Sequence, residues 1–259
     1  MIILFIGDIV GRPGRMMVEE HLVSLRRETG ADLVIANGEN AAGGIGLTRD
    51  TADEIFGAGV DVITMGNHVW DKKELLEYIN VEPRILRPLN YPGKAPGQGS
   101  IIVDGGGSPV AVVNAAGRVF NTILLECPFR KLADEVDRLK AEARVVVVDF
   151  HAEATSEKVA MGWYLDRKVT AVVGTHTHVQ TADEMVLPGG TAYITDVGMT
   201  GPYHSIIGIQ TDLVLDRFLT QIPVKFEVAK GPRQLSAVVI EADETTGKTR
   251  SIRRILIRE

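Results

Sequence analysis

Two observations in the sequence predict an α/β fold. Over the first two thirds of the chain, short β-rich apolar runs alternate with stretches of helical period, the pattern of βαβ units around a sheet. Each principal strand candidate also ends in a polar residue, as strands do when their carboxyl ends line a ligand crevice. With 259 residues, 45% of them hydrophobic and 24% charged, the chain is long enough for a full core, and a single domain over residues 1–259 is expected.

The elements follow in order. "ILFIGD" reads as the first strand, and Pro13 opens a helix on which Val18, Leu22 and Leu25 recur until Gly30 stops the pattern. "DLVIANGEN" is the second strand. Thr48 or Asp50 caps a short helix, "VDVITMGNH" is the third strand, and "DKKELLEYIN" reads as a polar helix. The segment "GSIIVDGGGSPVAVVNAAG" is a hairpin with a glycine turn. Phe129, Leu132, Ala133, Val136 and Leu139 then mark a helix leading into the strand "RVVVVDFH", and a helix around "SEKVAMGWYLDR" precedes the strand of "AVVGTHTHVQT". Beyond Pro188, "TAYITDVG", "VKFEVA", "LSAVVIEA" and "RSIRRILIRE" read as strands, the last two joined by the turn "DETTGK".

Composition excludes several function classes. A net charge of −6 repels polyanions over most of the surface, so no stable complex with long nucleic acid is expected. Cys127 is the single cysteine, which removes intramolecular disulfides and cysteine-based zinc sites. The N-terminus has no basic n-region, and Asp8 interrupts its apolar run. No run approaches the ~18 apolar residues of a spanning helix. A cytoplasmic location without membrane association is the resulting expectation, and a homo-oligomer is compatible with it.

The strand ends present Asp8, then Glu39 and Asn40, then Asn67 and His68, then His151, and finally His176 and His178. Four of the six histidines thus fall at these ends, where scattered placement would not put them. The set holds oxygen and nitrogen donors but no thiolate, which suits first-row ions such as Fe, Mn, Zn or Co rather than Ca. Asp8, Glu39, Asn40, Asn67, His151, His176 and His178 are too many ligands for one tetrahedral ion. Two ions fit better, with the Glu39 carboxylate as the bridge. With Asp8 and Glu39 as the anionic ligands, two divalent ions leave a surplus of about two positive charges, enough to attract a phosphate and acidify a bound water. His68 follows a ligand and stands beside the ions, as a general acid for the leaving oxygen would.

At these residues the chain resembles the calcineurin-like metallophosphoesterases, through "GD" after the first strand, "GNH" after the third, a later single histidine and a final His-x-His. Within them it is similar to the bacterial YmdB-like branch over essentially its whole length, with "GDIVGRPGR", "NGENAAGG", "GNHVWD" and "GTHTHVQTAD" in order. The wider pattern carries Asp-x-His after the first strand, where this chain has Val10, and bridges its metals with aspartate, where this chain offers "NGEN". The resemblance implies a four-layer α/β/β/α sandwich, two packed mixed sheets with helices outside. It also implies a di-iron or di-manganese centre and hydrolysis of small phosphodiesters such as 2′,3′-cyclic nucleotides. Asp8, Glu39 and His178 would hold one ion, and Glu39, Asn40, Asn67, His151 and His176 the other.

Rival readings exist beside this one. A non-catalytic, metal-containing regulator that binds a nucleotide or RNA would use the same cluster, and His-x-His pairs also occur in metal-dependent amidohydrolases. Asp71 reads as a helix cap rather than a partner of His68, and Trp70 as packing rather than a base platform. The loop "GMTGPYHSIIG" around His204 could close over substrate. Arg12 and Arg49 are the basic residues near the motifs, and neither has an assigned role.

Overall fold

The computed structural model describes all 259 residues, Met1 to Glu259. In chain order the first half contains β1 (Ile2–Ile6), β2 (Asp8–Ile9), α1 (Gly11–Thr29), β3 (Leu33–Asn37), α2 (Arg49–Gly57), β4 (Val62–Thr64), α3 (Leu75–Tyr78), β5 (Ile85–Leu86), β6 (Ser100–Asp104) and β7 (Pro109–Ala116). There follow α4 (Pro128–Leu139), β8 (Val145–His151), α5 (Thr155–Leu165), β9 (Ala171–Thr175), β10 (Met185–Val186), β11 (Ala192–Ile194) and β12 (Met199–Pro202). The chain closes with α6 (Thr211–Thr220), β13 (Arg233–Ala242) and β14 (Thr249–Arg258).

Two mixed sheets result. One runs β2-β12-β13-β1-β3-β4-β5, with β14 also paired to β13, and the other runs β10-β11-β9-β8-β7-β6. In the first, β1, β3, β4 and β5 are parallel, and β13 lies antiparallel to β1. In the second, β7, β8, β9 and β11 are parallel, and the expected hairpin supplies β6 antiparallel to β7.

The layering follows from a period of two within strands that are apolar throughout. In β1, Ile3 and Phe5 join Val110, Val112, Val145 and Val147 in a core between the sheets. Leu4 and Ile6 face the other way, onto Val18, Leu22 and Ile55 of α1 and α2. Along β8 the alternation repeats, since Val146, Val148 and Phe150 meet Leu132 and Val136 of α4 and Met161 of α5. Three apolar interfaces therefore separate four layers, and the α/β/β/α sandwich is the observed architecture. Parallel strands buried on both faces lose their polar alternation, which is why the sequence shows unbroken valine and isoleucine runs.

Local chemistry fixes several element ends as expected. Thr48 caps α2 in a capping box with Thr51, and Gly30 ends α1 in a left-handed turn at φ 68°. Three expectations differ. "VKFEVA" forms no strand beyond an isolated bridge at Val228, because the sheet edge it would need is already taken by β14 and β12 around β13. "DKKELLEYIN" is helical only over Leu75–Tyr78, which has no side-chain cap. Helix α6 was not expected, and its exposed Leu215, Phe218 and Leu219 explain why no buried stripe announced it. No helix is long and apolar enough to cross a membrane.

Phe5 is wholly buried between the sheets. Phe5→Ala should cost about 3–5 kcal/mol of unfolding free energy in urea titration, because the two sheets cannot both close on the void. A loss below about 1 kcal/mol would contradict this assignment of the central core.

Candidate metal centre

The site forms where the carboxyl ends of parallel strands from both sheets meet. Asp8 opens β2 just past the end of β1, Glu39 and Asn40 follow β3, and Asn67 and His68 follow β4. The second sheet brings His151, the last residue of β8, and His176 and His178 directly after β9. All eight sequence-predicted site residues belong to this one rim.

Three donors converge on His151 Nε2. Glu39 Oε1 lies 3.0 Å away, Asn67 Oδ1 3.1 Å and His176 Nδ1 2.9 Å. Ligands sharing one ion at ~2.1 Å stand about 3 Å apart at right angles, so these spacings fit a common first-row ion. Glu39, His151 and His176 alone form a group able to hold a metal. A second group adjoins it. His178 Nε2 is 3.1 Å from the Asn40 amide and 3.9 Å from Asp8 Oδ1, and the Asn40 amide is 3.2 Å from Glu39 Oε1. Glu39 touches both groups. Asn40 stands between the two groups, its amide beside His178 and also on the Glu39 oxygen that meets His151.

The donor set fits a cation on its own evidence. Asp8 is fully buried, and its Oδ1 has no hydrogen-bond partner. An orphaned buried carboxylate oxygen is costly unless a positive charge faces it. Burial, outweighing the neighbouring His178 and His151, pushes its carboxyl up to about 6. Glu39 goes the other way: burial would raise it, but His151 holds it down to about 2. The same pairing lifts His151 to about 9 against its own burial, a sign of negative potential at the point where a metal would displace that proton. His176 is pressed down to about 3, by burial and then by His151, which keeps its ring neutral and able to ligate.

A further ring of residues, not foreseen from the sequence, aims these ligands. Thr175 Oγ1 donates to Asp149 Oδ1 at 2.7 Å, so it accepts from His151 Nδ1, 2.8 Å away, and Nε2 is turned toward Glu39. Asn37 Nδ2 also donates to Asp149, at 3.0 Å. On the other side the buried Lys158 ammonium donates to Asp196 at 2.7 Å, and Asp196 accepts from the Thr177 backbone N–H at 3.0 Å and its hydroxyl at 2.6 Å. This anchor matters because His176 and His178 sit at φ 99° and 66°, each costing about 1–3 kcal/mol for a residue with a side chain. "VVVVDFH" did hold a signal, a lone aspartate inside an apolar strand. Lys158 and Asp196 offered none.

His68 stands at the edge of this cluster, its backbone N–H donating to Glu39 Oε2 at 3.2 Å. Its Nδ1 is 2.6 Å from Asp71 Oδ2, and Asp71 caps no helix, since the residue before α3 is Glu74. The capping expectation is thus corrected: Asp71 orients His68. Trp70 packs edge-on against Tyr91, 5.7 Å between centroids, as expected of a packing residue. Val10, at the superfamily's histidine position, is buried against Gly201 and Gly208.

A cavity of about 900 Å³ opens in front of the rim. Glu39, Asn40, His68, His176 and His178 line one part, and Ile206, Ile207, Phe218 and Phe226 another. The loop around His204 reaches the site through Ile207, whose carbonyl lies 2.8 Å from His178 Nδ1, while His204 itself is exposed beside Tyr203. Arg49 is drawn to Asp53, and Arg12 lines a separate depression, so neither reaches the rim.

Comparison with known proteins fixes the lineage. The family model for YmdB-like proteins matches residues 4–255. The chain belongs to the YmdB-like family. Among curated relatives, a Bacillus subtilis protein named 2′,3′-cyclic-nucleotide 2′-phosphodiesterase is 50% identical over 259 residues, covering 100% of this chain and 98% of the relative. A Thermus thermophilus crystal structure titled as a hypothetical protein superposes with a TM-score of 0.94 at 44% identity over 100% of both chains. A Mycoplasma pneumoniae structure titled as a novel phosphatase gives 0.94 at 37% identity, over 100% of this chain and 93% of its own. The YmdB-like assignment agrees with the sandwich fold and with the carboxylate–histidine rim.

Gly66 gives this YmdB-like site a sharp steric test. A Cβ there would lie 2.3 Å from Glu39 Oε2 and from His151 Nε2, two buried groups with no room to retreat. Gly66→Ala should keep its far-ultraviolet circular dichroism yet purify with less than about half the native metal content, as a shifted ligand lowers affinity. Native stoichiometry by elemental analysis would show that these groups are not ligands.

Proposed function

We propose that the chain is a two-metal phosphodiesterase acting on small phosphodiesters, 2′,3′-cyclic nucleotides among them. The observation that carries the reading is the orphaned, fully buried Asp8 oxygen facing His178 and His151 beside the Glu39 cluster. The activity named for the half-identical Bacillus subtilis relative supports the substrate class. Asp8, Glu39, Asn40 and His178 would hold one ion, and Glu39, Asn67, His151 and His176 the other. The nitrogen and carboxylate donors favour iron or manganese over calcium. Bound there, the ions would supply Lewis-acid charge to the phosphoryl oxygens and a water nucleophile at neutral pH.

The chain's own residues do the rest. Glu39, whose Oε1 meets both His151 and the Asn40 amide, ties the two ligand groups together. His68, held through Nδ1 by Asp71, keeps Nε2 for the cavity and donates its proton to the leaving oxygen. The Thr175–Asp149 and Asp196–Lys158 contacts keep the imidazoles aimed, so little reorganisation accompanies the reaction.

Metal-loaded protein is expected to hydrolyse bis-p-nitrophenyl phosphate, with a loss of at least about a hundredfold in Glu39→Ala and on chelation. Tight nucleotide binding with no turnover under any metal would instead favour a regulator. His68→Ala should retain its metals and lose about 10²–10⁴-fold toward an alkoxide leaving group, but far less toward p-nitrophenolate, which needs little protonation. Equal losses on both substrates would remove the acid role.

A further inference from the structure

The cavity offers more room and a more varied lining than the scissile phosphodiester alone uses. Its 900 Å³ lies near the upper end of small-ligand pockets. Away from the donor rim, α6 and the loop after it supply two aromatic rings to the lining, Phe218 at 67% exposure and Phe226 at 43%. Exposed rings inside a concave wall are stacking platforms in wait of a flat partner. Three cations, Lys72, Arg217 and Lys225, line the same cavity. None of these is drawn into an ion pair, whereas Arg15, Arg49, Arg233 and Arg250 each meet a carboxylate. Arg217 is instead set over the Phe226 ring, 5.5 Å from its centroid. The exposed carboxylate on the same wall, Glu153, is engaged by His176 at 3.0 Å.

In an acidic chain, unpaired cations lining the cavity, Arg217 and Lys225 from α6 and the loop after it and Lys72 from the segment after His68, mark the place of an anion other than the one at the rim. From this pattern of metal rim, aromatic surface and basic cluster, we infer that the substrate carries a second phosphate, one nucleoside away from the scissile phosphodiester. The preferred substrate is the 2′,3′-cyclic phosphate end of a short oligonucleotide, or a nucleotide with a 5′-phosphate. The base lies on Phe218 and Phe226, and the second phosphate meets Arg217 and Lys225. Net charge limits the length, because a longer strand would run over a surface that repels it. This subsite rests on the phosphodiesterase reading and adds the selector that the rim lacks.

The test compares adenosine 2′,3′-cyclic phosphate with its 5′-phosphorylated form on the metal-loaded protein. The 5′-phosphate should raise kcat/KM about tenfold, an advantage that shrinks with added salt, and Arg217→Gln with Lys225→Gln should abolish the ratio between the two substrates. Calorimetry gives a readout free of turnover: adenosine 3′,5′-bisphosphate should bind about tenfold more tightly than adenosine 3′-phosphate. Equal kcat/KM values, or equal affinities, would overturn the second-phosphate subsite while leaving the phosphodiesterase reading intact. Failure on both nucleotides and on bis-p-nitrophenyl phosphate would overturn that reading itself and the subsite with it.

Discussion

The structure is organised around two carboxylates, Asp8 and Glu39, held almost entirely out of water at the meeting point of two sheets. Each buried, ionised carboxylate costs several kcal/mol unless a cation or several donors face it. Glu39 has its compensation in His151, but Asp8 Oδ1 has none, and burial drives its carboxyl up. A packed protein keeps such a group where an ion is meant to complete it. The surrounding backbone accepts further cost for close approach, since Gly66 lies where any side chain would strike the Glu39–His151 pair.

Two buried acids outside the cluster make that concentration of charge workable. Asp149 is fully buried and its carboxyl is raised by burial, yet hydroxyls of Thr64 and Thr175 and the Asn37 amide all donate to it. It reaches His151 through Thr175 and through its charge, orienting the ring rather than adding a ligand. Asp196 and Lys158 form a buried ion pair whose acid also grips Thr177 between the two left-handed imidazole positions. Removing one partner of such a pair leaves an uncompensated charge, worth about 3–5 kcal/mol. Local strain at His176 and His178 is thus balanced by a non-local contact.

What the sequence disclosed and what it withheld divide along the same line. Strand ends were legible because parallel strands buried on both faces give unbroken apolar runs, and a polar residue at such an end is conspicuous; Asp8, Glu39, Asn67, His151 and His176 could be read that way. Asn40 could be placed at the rim but not beside its neighbour, because position along a strand carries no information on which ligand stands opposite. Asp71 sat before a helical pattern and read as a cap; the chain instead delays the helix to Leu75 and turns the carboxylate onto His68. "VKFEVA" alternates like a strand, but alternation cannot reveal that β13 already has its partners. Lys72 lies four residues past His68, within reach of a reading by position, whereas Arg217 and Lys225 join the site only through the fold.

Chemistry and selection are therefore carried by different kinds of structure. The rim lies at and just past the ends of strands fixed on both faces by apolar cores, so the sandwich sets its geometry. The wall opposite comes from α6 and the loop behind it, which bury Val214 and Ala229 but leave Leu215, Phe218, Leu219 and Phe226 exposed. Substitutions there disturb little packing. A metal rim by itself distinguishes phosphoesters poorly, since it addresses only the phosphorus and its oxygens. Discrimination must come from groups that touch the rest of the molecule, and the proposed selectors, aromatic and cationic side chains free of ion pairs, stand where altering them costs the fold least.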